Sequence, residues 1–251
     1  MQPKLRTVSK VEEPYPLNKF PAGFIKTFSE GIAYLYVTKR KMSLVGEEWE
    51  ELFSECVNAD WKPSNVGLDD VQLGTACWSA KTVMASKNDI ANQKTVRLIS
   101  GRCSPQFSYD ESYQDMADNL DVIGPQVLEI WNARVDYVRS RFKTARVVVL
   151  VKGRDYSEYL IYESELLRFN PDKYYFAWNN NKNLEGFDKI TDEKKFVWQP
   201  HGSQFTIIES IPPDRMHIRL KLPDNKLNKK KVLETIDFDE GWFVVVDSVE
   251  I

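Results

Sequence analysis

The segment Arg146–Val151 reads RVVVLV, apolar at every position after the first. Side chains alternate between the two faces of a strand, so this one must be covered on both sides, as in the middle of a mixed sheet. The residues before it read as a helix. Gly124-Pro125 marks a start, because proline is tolerated in a first helical turn. Leu128, Trp131, Val135, Val138 and Phe142 then share one apolar face.

The elements upstream are shorter. The first two dozen residues carry Pro3, Pro14, Pro16 and Pro21 and read as an extended arm, and Phe24–Arg40 has no assignable pattern. In Gly46–Ala59, Trp49, Leu52, Phe53, Cys56 and Val57 recur at helical spacing, and Pro63 follows the helix end. Two strands are expected around Leu68–Leu73 and Ala76–Met84, turning at Gly74. A third is expected over Lys94–Arg102, with Val96, Leu98 and Ser100 on one face, and a helical pattern starts again at Ser112. Beyond Asp155, short aromatic strands are expected at Tyr159–Tyr162, Tyr174–Trp178, Phe196–Trp198, Phe205–Ile208 and His217–Leu222. A basic helix (Lys229–Ile236) and a last strand (Trp242–Val246) close the chain. The order reads as α+β: a mixed sheet flanked by helices, with a β-rich C-terminal half. The expected division is 1–165 for the core with its arm and 166–251 for the β-rich region, packed as one unit.

Chemistry concentrates in GLDDVQLGTACWSAKTV (Gly67–Val83). Asp69-Asp70 ends one strand, and Ser79 and Lys81 share a face of the next. A turn at Gly74 brings the ammonium of Lys81 toward an aspartate. Two acids and a lysine held together can bind a hard cation, activate a water and stabilise charge developing on phosphorus.

These residues resemble the PD-(D/E)xK nuclease superfamily, which includes most type II restriction endonucleases. In that family an aspartate ends one strand and an acid-x-lysine triplet follows on the next, at the interval that separates Asp70 from Lys81. The chain departs from the pattern twice. Asp69 stands where proline is usual, leaving either aspartate as the ligand, and Ser79 stands where an acid is usual. The family often carries a glutamate after an aromatic residue on the preceding helix, and Trp49-Glu50 matches it, with Glu48 the second choice. The resemblance implies a restriction-endonuclease-like fold and Mg²⁺-dependent cleavage of double-stranded DNA by a homodimer. In it Asp69 or Asp70 and Glu50 bind the metal, Lys81 handles the attacking water and Ser79 supports by hydrogen bonding. The alternatives are a repair or mobile-element nuclease, or a non-catalytic DNA-binding module of the same fold.

Contacts to DNA are expected from Arg97 and Arg102 on the third strand, and from Gln199, His201, Ser203 and Gln204 in WQPHGSQ, whose donors and acceptors suit base edges. Arg134, Arg139 and Arg141 line the long helix and could reach phosphates, although singly each is an ordinary surface position. Asn179–Asn183 reads as a hairpin turn, and Lys226–Lys231 as a solvated face.

Composition narrows this little. The net charge of −3 and a pI near 5.6 do not advertise nucleic acid, although a basic face can coexist with them. Three scattered cysteines and two histidines argue against a disulfide framework or a zinc site. The chain shows no signal-peptide pattern and no apolar run long enough for a bilayer, so a cytoplasmic location is expected.

Overall fold

The computed structural model describes residues 14–39, 41–63, 67–86, 89–109, 119–224 and 226–242. The fold is α+β, with two sheets and, among the described residues, five α-helices. Helix α1 (Phe24–Thr38) buries Phe24, Phe28 and Ile32, one per helical turn, and begins after Gly23 at φ 91°. The helix is weakly marked in its sequence, because Tyr34 is exposed and Tyr36 half-buried, so the aromatic residues do not keep to one face.

Helix α2 (Gly46–Val57) buries the expected stripe, Trp49, Leu52, Phe53, Cys56 and Val57, and stops at Asn58 in the left-handed conformation. The first sheet runs in the order β1 (Asp60–Trp61), β2 (Val71–Leu73), β3 (Ala76–Met84), β5 (Thr144–Lys152), β6 (Glu158–Glu165), β11 (Met216–Arg219). Only β3 and β5 are parallel. Strand β5 is central and covered twice. Val148 and Leu150 face α1 and α2, together with Trp78, Ala80, Tyr159 and Ile161. Val149 and Val151 face the opposite side, with Leu160 and Tyr162.

That opposite side is closed by helix α4 (Leu120–Arg141) and the second sheet. The latter is antiparallel, in the order β4 (Thr95–Arg102), β10 (Gln204–Ser210), β9 (Lys194–Gln199), β8 (Leu184–Asp188), β7 (Tyr174–Trp178). Val127, Leu128, Trp131, Val135 and Val138 of α4 pack with Phe196, Trp198 and Phe205 of this sheet and Cys77 and Ala145 of the first. A short helix α3 (Pro105–Ser108) follows β4, and α5 (Lys229–Thr235) opens on Asn228, whose side chain accepts from the Lys230 N–H.

Several expectations change. Helix α4 starts at Leu120 and carries Gly124-Pro125 inside it. Proline there removes one backbone bond, and a β-carbon at position 124 would collide with the ring of Phe176. The part of the N-terminal arm from Pro14 onward is pinned. Arg146 and Glu163 form a buried ion pair (3.2 Å; 2% and 0% side-chain exposure). Tyr15 donates to Glu163 (2.8 Å), Arg146 donates to the Tyr15 carbonyl (2.8 Å), and the Asn18 side chain accepts from the Glu163 N–H (2.6 Å). Strand β8 has no clear signature in the sequence, because Gly186 and the acidic residues around it weaken the apolar alternation. The helical segment from Ser112 and the strand after Trp242 lie outside the described residues.

The division at 165/166 is crossed twice: β4 joins the sheet of the second half, and β11 joins that of the first. Among the described residues no helix is long and apolar enough to cross a membrane.

Candidate functional site

The hairpin β2–β3 turns at Gly74 (φ 58°) and pairs Val71 with Trp78, which sets Asp70 beside Ser79 at the open end. Backbone bonds hold Asp70 in place: its carbonyl accepts from Lys62 (2.8 Å) and its carboxylate from the Ala80 N–H. The residue is 5% exposed, and Oδ2 has no hydrogen-bond partner. Burial raises its pKa to about 6. Lys81 opposes that rise, while Glu50 and Asp69 add to it.

The same group of charges acts on Lys81. Burial lowers the pKa of its half-buried ammonium, Asp70 and Glu50 pull it back up, and Arg134 pushes it down. Lys81 Nζ donates to the Gly67 carbonyl (3.3 Å), and Ser79 Oγ donates to the same oxygen (3.1 Å). Glu50 approaches from α2 with one oxygen accepting from Trp61 Nε1 (3.3 Å). Glu50, Asp70 and Lys81 thus come together from a helix, a strand end and a neighbouring strand.

Two expected acids stand elsewhere. Asp69 is 1% exposed and its Oδ2 accepts from Arg141 (2.8 Å), a contact on the α4 side of the hairpin. Adjacent residues of an extended chain point apart, so Asp69 and Asp70 serve different neighbours. Glu48 caps its own helix by accepting from the Val45 N–H (2.9 Å) and pairs with Lys39. Among the described residues no group of three or more His, Cys, Asp or Glu side chains is gathered to hold a metal. The remaining donor set is a pair of carboxylates, one with an unpartnered buried oxygen. Hard oxygen ligands in that number fit magnesium, which keeps several waters and is commonly held by one or two carboxylates and a substrate phosphate.

The arginines of α4 are engaged internally. Arg134 donates to the Ser100 carbonyl (2.7 Å), Arg139 to the Leu166 carbonyl (2.7 Å) and Arg141 to Asp69. Arg134, read from sequence only as a phosphate contact, also acts electrostatically on Lys81 and Asp70. Helical spacing alone does not reveal which α4 residue comes nearest the hairpin.

The residues expected to touch DNA divide. Arg102 pairs across the sheet with Gln204, and Gln204 with Gln199, so three long polar side chains line up at one end of the second sheet. His201 is exposed on the adjoining turn. Ser203 is buried at φ 54°, accepting from Gln106 (3.0 Å) through its hydroxyl and from Cys103 through its carbonyl (2.9 Å). It shapes the turn and is not presented to a ligand. Arg97 lies opposite Ile208, five residues along the strand from Arg102, which is about 16 Å at the rise of a strand. It acts on Glu185 and does not join the row.

Comparisons of this chain with protein-family models, with curated proteins and with solved structures find no match.

Proposed function

We propose that the chain is a type II restriction endonuclease with a PD-(D/E)xK-like centre, hydrolysing phosphodiester bonds of double-stranded DNA. The observation that carries this reading is the mutual electrostatic action of Asp70, Glu50 and Lys81 beside a buried Asp70 carboxylate oxygen that has no hydrogen-bond partner. An orphaned acceptor at 5% exposure is costly in a fold unless something occupies it. Asp70 and Glu50 would hold Mg²⁺, which supplies Lewis-acid stabilisation of the phosphate oxygens. Asp69, committed to Arg141, supports the hairpin instead.

Lys81 carries the chain's own chemistry. Its lowered pKa enlarges the share of neutral amine free to take a proton from the attacking water, and its charged form steadies negative charge on the phosphate. Ser79 shares the Gly67 carbonyl with Lys81 and so helps fix the hairpin against the preceding loop. The row of Arg102, Gln204 and Gln199, with His201 beside it, offers donors and acceptors for base edges. Two copies reading a palindromic site would form a two-fold dimer.

A second reading is a DNA-binding module of the same fold without catalysis. It is favoured by the Ser79 hydroxyl, which is spent on a backbone carbonyl and leaves two carboxylates. Digestion of a sequenced phage DNA with Mg²⁺ separates the readings. The nuclease produces discrete fragments whose ends map to one sequence, and Lys81→Ala lowers the rate by about 10²–10⁴-fold while duplex binding persists. Intact DNA under all divalent ions would leave the binding module standing. A variant Lys81→Ala as fast as wild type would move the chemistry elsewhere.

A further inference from the structure

The two sheets do not close completely on each other. A cavity of about 360 Å³ lies between them, bordered by Ser79 and Lys81 at the hairpin. Protein interiors are close-packed with voids of roughly one water, whereas pockets that take small molecules begin at about 300 Å³. The space has a cause in the sequence. Across the first sheet the register aligns Ser79, Val147 and Ser164 in one row, with Cys77 and Ala145 in the row two residues back. These are small side chains under a roof of Leu98, Ile207 and Phe196, aligned across the second sheet. Val147 touches both core clusters that flank the gap.

We propose that this cavity receives a single nucleobase turned out of the DNA duplex and holds it beside Lys81. The inference rests on the nuclease reading of the hairpin and adds to it what the site does with a base. Its aromatic wall fits a planar ring. Phe169 and Phe196 lie 4.6 Å apart, Tyr174 and Phe196 4.7 Å, and Trp131 stacks on Phe169 at 6.3 Å. Enzymes that extrude a base hold it by stacking against such side chains and by hydrogen bonds along its edge.

The edge partners are present. Ser79, Lys81, Ser164 and Glu209 all line the space. Glu209 is bonded by Ser164 and approached by the Tyr162 hydroxyl (3.5 Å), and burial raises its pKa. Beyond their bond to the Gly67 carbonyl, the Ser79 hydroxyl keeps acceptor capacity and the Lys81 ammonium keeps donors for such an edge. Glu165, Leu167 and Ser210 are lining residues exposed to solvent and mark the mouth.

The test uses the full chain without magnesium, so that nothing is cut. Two probes are compared by fluorescence: free 2-aminopurine riboside, and a duplex with one bulged 2-aminopurine. Wild type should bind both, with the ring stacked and its emission changed. Val147→Phe fills the floor of the cavity and should weaken both by about tenfold or more, with an unchanged far-ultraviolet spectrum. Glu209→Gln keeps the volume, and should reorder the affinities of the four natural nucleosides. It decides the matter if Val147→Phe fails to fold.

Binding of neither probe by wild type, or unaltered binding by both variants, overturns the proposal. Capture of the free riboside but never of the bulged base also overturns it, because the occupant is then a free nucleoside. Cleavage with magnesium is scored separately. Cutting without base binding sinks the cavity assignment alone, and base binding without cutting sinks the nuclease reading alone.

Discussion

Asp70 sits in the folded protein with a carboxyl that holds its proton up to about pH 6, because burial disfavours the ion more than Lys81 favours it. The folded state then binds a proton more tightly than the unfolded one, so stability falls as pH rises from about 4 to 6 and stays lower above. Asp70→Asn should therefore match wild type below pH 4 and exceed it at pH 7, by on the order of 2–3 kcal/mol. Denaturant titration at the two pH values checks this, and a larger gain on the acid side would contradict it. On the proposed nuclease reading the same ionisation would control metal binding. Magnesium should stabilise wild type at neutral pH, lose affinity as pH falls through about 6, and do little for Asp70→Asn. Thermal melts with and without the ion give the comparison.

Hairpin β2–β3 is held from two directions, and the two aspartates at its end divide the work. Arg141→Ala removes the charged partner of buried Asp69 and should cost about 1–3 kcal/mol without removing the magnesium response. Loss of that response would mean that Asp69 also belongs to the ion site. Packing of α4 under the second sheet depends on Gly124, and Gly124→Ala should destabilise by about 1–3 kcal/mol through its collision with Phe176. The combination with Phe176→Leu should recover much of the loss, as a double-mutant cycle by denaturant melts will show.

Elements of this kind were unevenly legible in sequence. Helix α2, the hairpin, β5 and the five short strands expected after Asp155 stand out because their periodicity matches a one-sided or two-sided burial. Helix α1 and β8 do not, since Tyr34, Tyr36 and Gly186 dilute the pattern. The site was legible as residue types at an interval, Asp70 to Lys81. The different surroundings of Asp69 and Asp70 were not, because they depend on Arg141, a contact between residues 72 apart.

At the scale of the molecule, the sheets exchange strands: β4 is pinned to β10, and β11 to β6. Local order cannot announce such pairings, which is why a division at 165/166 leaves the third strand in the first half. Unfolding should consequently be one transition, with near-ultraviolet and far-ultraviolet signals coincident in denaturant. Two separated steps would show that the sheets are energetically independent. The exchange also limits how such a chain can be rebuilt. A cut at 165/166 strands β4 without β10 and β11 without β6, so each piece would display unpaired strand edges that invite aggregation. The end of the second sheet that carries Arg102, Gln199 and Gln204 therefore cannot be traded between proteins as a cassette. If the proposed reading holds, a change of sequence preference would have to come from side chains replaced one at a time on an unbroken chain.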